Sequence, residues 1–170
     1  MNFYELTSAR YSVRKYSERK VEDEKLMRIL DSARQAPTAC NFHPEHIFAV
    51  TSDEGMRALT SVRTVFGAPM AIVVACDKSR EWKNKRMNGR GAGETDCAIV
   101  TTYLMLAATE EGLGTCYMAS FDGAAITSAL GIDPSLEIYA VLAVGYASED
   151  SEPHELHYAR PALENIVSII

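Results

Sequence analysis

Residues 95–111 read TDCAIVTTYLMLAATEE, and what this stretch becomes decides the fold. Drawn as a helix, it is apolar almost all round, with Ala98, Ile99, Val100, Tyr103, Leu104, Leu106 and Ala107 spread over every side. A helix with so little polar face belongs at the centre of a core or in an interface between subunits. Gly112 follows where a left-handed residue commonly closes a helix.

Downstream, TCYMASF (115–121) reads as a strand or extended segment, AAITSALGI (124–132) as a short helix ended by Gly131, and EIYAVLAVGY (137–146) as a strand. Upstream, the polar, glycine-rich REWKNKRMNGRGAGE (80–94) is a loop. MAIVVAC (70–76) and HIFAVT (46–51) are short β-rich apolar runs, expected as buried strands, with DEGMRALTSV (53–62) between them as a helix opened by Asp53. VEDEKLMRILDSARQAP (21–37) is a further helix. Leu26, Ile29, Leu30 and Ala33 recur at helical spacing, acids crowd its first turn, and Pro37 stops it. Residues 2–9 make a short helix, and the apolar end of HYARPALENIVSII (157–170) is expected to dock somewhere. Strands alternating with helices indicate a layered α/β or α+β fold.

A chain of 170 residues suits one domain with a real core, and its 47% apolar and 24% charged content is that of a soluble globular protein. The formal charge of −6 argues against nucleic acid as a partner, although a local basic pocket for one phosphate stays open. No apolar run approaches the roughly 18 residues of a membrane span. The polar N-terminus lacks the features of a secretory signal. Cys40, Cys76, Cys97 and Cys116 form no CxxC pair, so buried reduced thiols and a cytoplasmic setting are expected.

Several small constellations compete for a functional reading. In APTACNFHPEH (36–46), Cys40, His43 and His46 have the spacing of a metal clip, but Pro44 interrupts them and nothing completes a four-ligand set. The same stretch suits a loop of small residues pressed against a flat ligand. In RYSVR (10–14), an extended backbone puts Arg10, Ser12 and Arg14 on one side, two guanidinium forks and a hydroxyl matched to a phosphate. GRGAGE (89–94) is not a dinucleotide fingerprint, because its spacing is wrong and a charged loop precedes it. Lys83, Lys85, Arg86 and Arg90 make a solvated charge run, and Cys116 a small core filler.

Taken in order, ARYSVRKY, ARQAPTACNFHP, GAPMAIVVACD, the helix from Asp96 through LAATEEGLGTCYMASF, ALGI, AVLAVGY and ARPALENIV resemble the FMN-dependent nitroreductase family over nearly the whole chain. The resemblance implies a single α+β domain of three layers, a central mixed sheet flanked by helices with one long apolar core or interface helix. It implies a homodimer that binds FMN between subunits, takes a hydride from NAD(P)H, and passes electrons to a small acceptor such as a nitroaromatic or quinone in alternating half-reactions. Flavin storage without turnover, dehydrogenation, dehalogenation and flavin fragmentation are the alternative activities.

By resemblance, Arg10, Tyr11, Ser12 and Arg14 hold the phosphate and ribityl chain, and Arg160 completes the grip. Pro37, Thr38, Ala39 and Asn41 form the loop that the other subunit lays along the isoalloxazine ring. Leu113 and Gly114 open the segment whose backbone, near Ala119 and Ser120, faces flavin N5. No catalytic side chain and no metal is implied. His43, Tyr11 and Ala119–Ser120 depart from the residues that the resemblance leads one to expect, and residues 83–93 stand where a longer helical insertion often covers the pocket.

Overall fold

The computed structural model describes residues 1–170. Five helices and six strands run in the order α1 (Phe3–Ala9), α2 (Asp23–Ala33), β1 (Glu45–Val50), α3 (Asp53–Val62), β2 (Met70–Asp77), β3 (Lys83–Asn84), β4 (Arg90–Gly91), α4 (Gly93–Glu110), β5 (Gly114–Met118), α5 (Gly123–Leu130) and β6 (Leu136–Gly145). Single 3₁₀ turns lie at Ala39–Asn41, Lys85–Met87, Glu155–His157 and Leu163–Asn165.

The main sheet has the order β1–β2–β6–β5, and every strand pairing in it is antiparallel. Its one parallel contact is the isolated bridge between Ser12 and Thr115. Strand β2 shows why there are three layers. Met70, Ile72, Val74 and Cys76 point to one face, where they meet Ile29 and Ala33 of α2 and Cys97, Val100, Leu104 and Ala108 of α4. Ala71, Val73 and Ala75 point to the other, where they meet Leu59 of α3 and Ile126 of α5. Both faces of the strand are covered, hence a continuous apolar run without alternation. The register slips between Val74 and Ala75, whose partners are Ala140 and Ile138. Tyr139 is the extra residue of this bulge, and its hydroxyl accepts a hydrogen bond from Lys78 Nζ at 2.9 Å.

Helix α4 buries one stripe: Cys97, Val100, Thr101, Leu104 and Ala108. The hydroxyls of Thr101, Thr102 and Thr109 donate to carbonyls four residues back, at 2.7, 2.9 and 3.0 Å, which hides the polar groups of an apolar helix. Its other side, with Ile99, Leu106 and the exposed Tyr103, is only partly covered in the single chain. Gly112 closes the helix at φ 75°.

Some local expectations change. Helix α3 is capped by Ser52, which accepts from Gly55 N–H at 3.1 Å, and Asp53 is its first helical residue. Helix α2 ends at Ala33, before Pro37 acts. The stretch 80–94 is not simply a loop, because it holds the β3–β4 ladder and the first turn of α4. Two of its glycines, Gly91 and Gly93, answer to Glu81, a carboxylate only 8% exposed. Glu81 Oε2 accepts from Gly93 N–H at 3.0 Å and lies 3.4 Å from Lys78 Nζ, so it neutralises the positive end of α4. A Cβ at Gly93 would lie 2.8 Å from that oxygen, and one at Gly91 would fall inside the carboxylate.

The tail differs most from expectation. Leu163, Ile166, Val167, Ile169 and Ile170 are all exposed. Within this chain they have nothing to pack on.

Candidate functional site

After α1 the chain straightens. Val13 N–H donates to Thr115 O at 2.8 Å, and the Val13 side chain, 1% exposed, packs where any Cβ on Gly114 would collide with it. With Val13 turned inward, the period of two turns Arg10, Ser12 and Arg14 outward to one cavity. Downstream, Ser17 N–H donates to Tyr146 O at 2.9 Å, Ser148 N–H to Lys15 O at 3.1 Å, and Lys15 pairs with Asp150 at 2.8 Å. These bonds bring the chain after β6 back alongside the same segment.

The cavity, about 500 Å³, is lined by Arg10, Ser12, Arg14, His154, Leu156, His157 and Arg160. It contains three guanidinium groups, two imidazoles, a hydroxyl and no carboxylate. None of the three arginines forms an ion pair within the chain. Arg160 instead donates to the carbonyls of Leu156 and Ala159, both at 3.3 Å. His154 Nδ1 accepts from Leu156 N–H at 3.2 Å, so its neutral ring carries the proton on Nε2 as a donor. In a chain of net charge −6, such a concentration of positive groups without an acid partner has the chemistry to attract an anion.

Tyr11 sits differently. Its side chain leaves the cavity, its hydroxyl donates to Ser151 Oγ at 3.2 Å, and its ring meets His157 edge-on at 6.4 Å. It ties the tail down and does not line the cavity. Leu113 is a core residue, 4% exposed, whose N–H is spent on Ala108 O at 2.8 Å. Ala119 and Ser120, exposed just past the end of β5, have backbone N–H groups that donate to no backbone acceptor. From Thr115 to Ala119 is about 13 Å along an extended strand, so β5 runs from beside the arginine-lined cavity to the N–H groups of Ala119 and Ser120.

The loop from Pro37 to His43 lies elsewhere. Ala39 N–H donates to Asp96 Oδ1 at 2.9 Å, and His43 N–H to Thr38 Oγ1 at 3.1 Å. Burial raises the Asp96 carboxyl above its ordinary range, with the Ala39 N–H opposing, and Oδ2 has no partner. Asn41 is exposed. The loop leads into β1, which lies at the opposite edge of the sheet from β5. The cavity that gathers the arginines includes none of residues 37–41.

A family model described as the Nitroreductase family matches residues 7–64 and 57–146 of this sequence. The chain belongs to the nitroreductase family.

Other comparisons agree with the nitroreductase assignment. The crystal structure of a nitroreductase family protein from Clostridium difficile 630 superposes with a TM-score of 0.92 at 38% identity, covering 99% of this chain and 98% of that one. An FMN-dependent nitroreductase from Clostridium difficile R20291 superposes with a TM-score of 0.75 at 25% identity, over 93% and 98% of the two chains. A Thermus thermophilus protein named NADH dehydrogenase is 28% identical over 189 residues, covering 91% of each chain. No helix of this chain is long and apolar enough to cross a membrane.

Sequence reasoning missed His154, Leu156 and His157 as cavity walls, and Glu45 and Asp96 behind the loop. The pair of histidines three apart in PHELHYAR was a usable signal, since one 3₁₀ turn brings such positions to one side. Glu45 and Asp96 gave none, because their roles depend on which element packs beneath residues 37–43.

Proposed function

We propose that this nitroreductase family member is an FMN-dependent NAD(P)H oxidoreductase that works as a pair of identical chains. The carrying observation is the cavity of Arg10, Ser12, Arg14 and Arg160, whose guanidinium groups have no carboxylate partner. A phosphate monoester supplies what they lack, and paired forks hold it bidentately. His154 adds a neutral donor from the returning tail.

The fit extends along β5. Free N–H groups at Ala119 and Ser120 are suited to steadying negative charge that develops on a bound ring system. Thr38 and Ala39 are small enough for their backbone to approach a flat ring, and Asn41 offers both a donor and an acceptor. These loop residues stand at the far sheet edge of their own chain, so a second copy supplies them. FMN, when bound, supplies two-electron hydride chemistry between NAD(P)H and an acceptor such as a nitroaromatic or quinone, each occupying the site in turn. The chain's own part is to grip, orient and cover.

The test is the purified protein. It should carry yellow flavin absorbance that bleaches with NADH or NADPH under anaerobic conditions and returns when an acceptor is added. Tight flavin without bleaching by either nucleotide would favour storage, and failure to take up FMN would overturn the proposal.

A further inference from the structure

Between Thr38 and Glu45 the backbone turns left-handed three times, at Cys40 (φ 51°), Asn41 (φ 59°) and His43 (φ 47°). Non-glycine residues rarely enter that region, and so many in one loop need compensation from their surroundings. What the turns produce is a row of three side chains. His43 Nε2 lies 3.0 Å from Asn41 Oδ1, and His43 Nδ1 lies 2.9 Å from Glu45 Oε1. Glu45 keeps only 10% of its side-chain exposure, and its Oε2 has no partner. Asp96, from α4, is the other acid whose charge the ring feels, and neither acid pairs with a lysine or arginine.

Hydrogen-bond arithmetic links the row. An ionised Glu45 can only accept, so His43 Nδ1 must carry a proton. Nε2 then has two options. Protonated, it donates to the amide oxygen of Asn41, the atom that lies 3.0 Å from it. Unprotonated, it accepts from the amide nitrogen. An amide has one end of each kind, so the end taken by His43 fixes the end turned outward.

We propose that His43, anchored by Glu45, is the positioning residue that selects which end of the Asn41 amide faces the ligand. The doubly protonated ring turns the amino end outward as a donor to a carbonyl oxygen. The neutral ring turns the carbonyl end outward as an acceptor for a ring N–H. A flavin's pyrimidine edge carries both kinds of group, and this step rests on reading residues 37–43 as the loop that covers it.

Two measurements test it. In the protein without flavin, Glu45→Gln alters only the far nitrogen of His43, so the side-chain amide NMR signals of Asn41 should shift although residue 45 does not touch it. His43→Gln should shift them as well. Unmoved Asn41 signals in both variants, with backbone spectra that show folded protein, would overturn the proposal. With FMN, affinity is followed from about pH 5 to 8 in the wild type and in His43→Gln, which keeps a donor and an acceptor but cannot change charge. The ratio of the two affinities is the quantity read, because every group other than residue 43 is common to both proteins. That ratio should change about tenfold, the scale of one exchanged hydrogen bond, and parallel curves would overturn the proposal. Should the wild type take up no FMN, the flavin reading falls, and the amide signals still judge the relay.

Discussion

Arg10, Arg14 and Arg160 are where single residues matter most, because each brings a permanent charge to a cavity without a counter-charge. Replacing any one of them by Ala should weaken FMN retention by about 1.5–3 kcal/mol, the range for a hydrogen bond to a charged group. Titration of the flavin-free protein with FMN checks this, and Tyr11→Phe, outside the cavity, should change affinity much less. Acid sensitivity is also a single-residue matter. Hydrogen bonds from the Tyr146 hydroxyl and then Arg19 hold Glu22 down from 4.5 to about 2. The folded value lies below the unfolded one, so this contribution is intact above about pH 4.5 and is lost as pH falls toward 2. Melting curves across that window should fall less steeply for Glu22→Gln than for the wild type. The alternation in RYSVR was legible because an extended backbone repeats every two residues whatever surrounds it. The departure of Tyr11 was not, since it depends on Ser151, 140 positions away.

At the scale of elements, helix α4 and strand β2 were readable because burial on one or both faces leaves a direct mark on composition. Leu104 is fully buried between α4 and the sheet, and Leu104→Ala should cost about 2–5 kcal/mol in chemical denaturation. The glycine-rich turn before α4 was the hardest element to read. Its glycines marked only a loop, whereas Gly91 and Gly93 make room for the chain's own Glu81. Gly91→Ala should therefore destabilise the fold by about 1–3 kcal/mol, as overpacking does. Glu81→Ala combined with Gly91→Ala should be less damaging than the sum of the two. A double-mutant cycle on thermal unfolding measures that coupling.

For the molecule as a whole, the covered faces of the sheet were legible in which runs were apolar, but the strand order, its antiparallel pairing and the edges that stay free were not. The exposed apolar tail, the half-open side of α4 and the placement of residues 37–43 at the edge away from β5 all suit two copies clasping each other. Sedimentation at micromolar concentration should give about twice the chain mass of 18.7 kDa. A chain ending at Arg160 should sediment as one copy.

Arg160 and the apolar run that follows it share one strap of backbone, with only Pro161 and Ala162 between the cavity wall and Leu163. If association settles that strap, loading the cofactor and joining the copies become reciprocal: whatever factor one gains from the other, it returns. Dilution would then bleed colour from the protein, and flavin would act as the glue that holds thinly expressed subunits together.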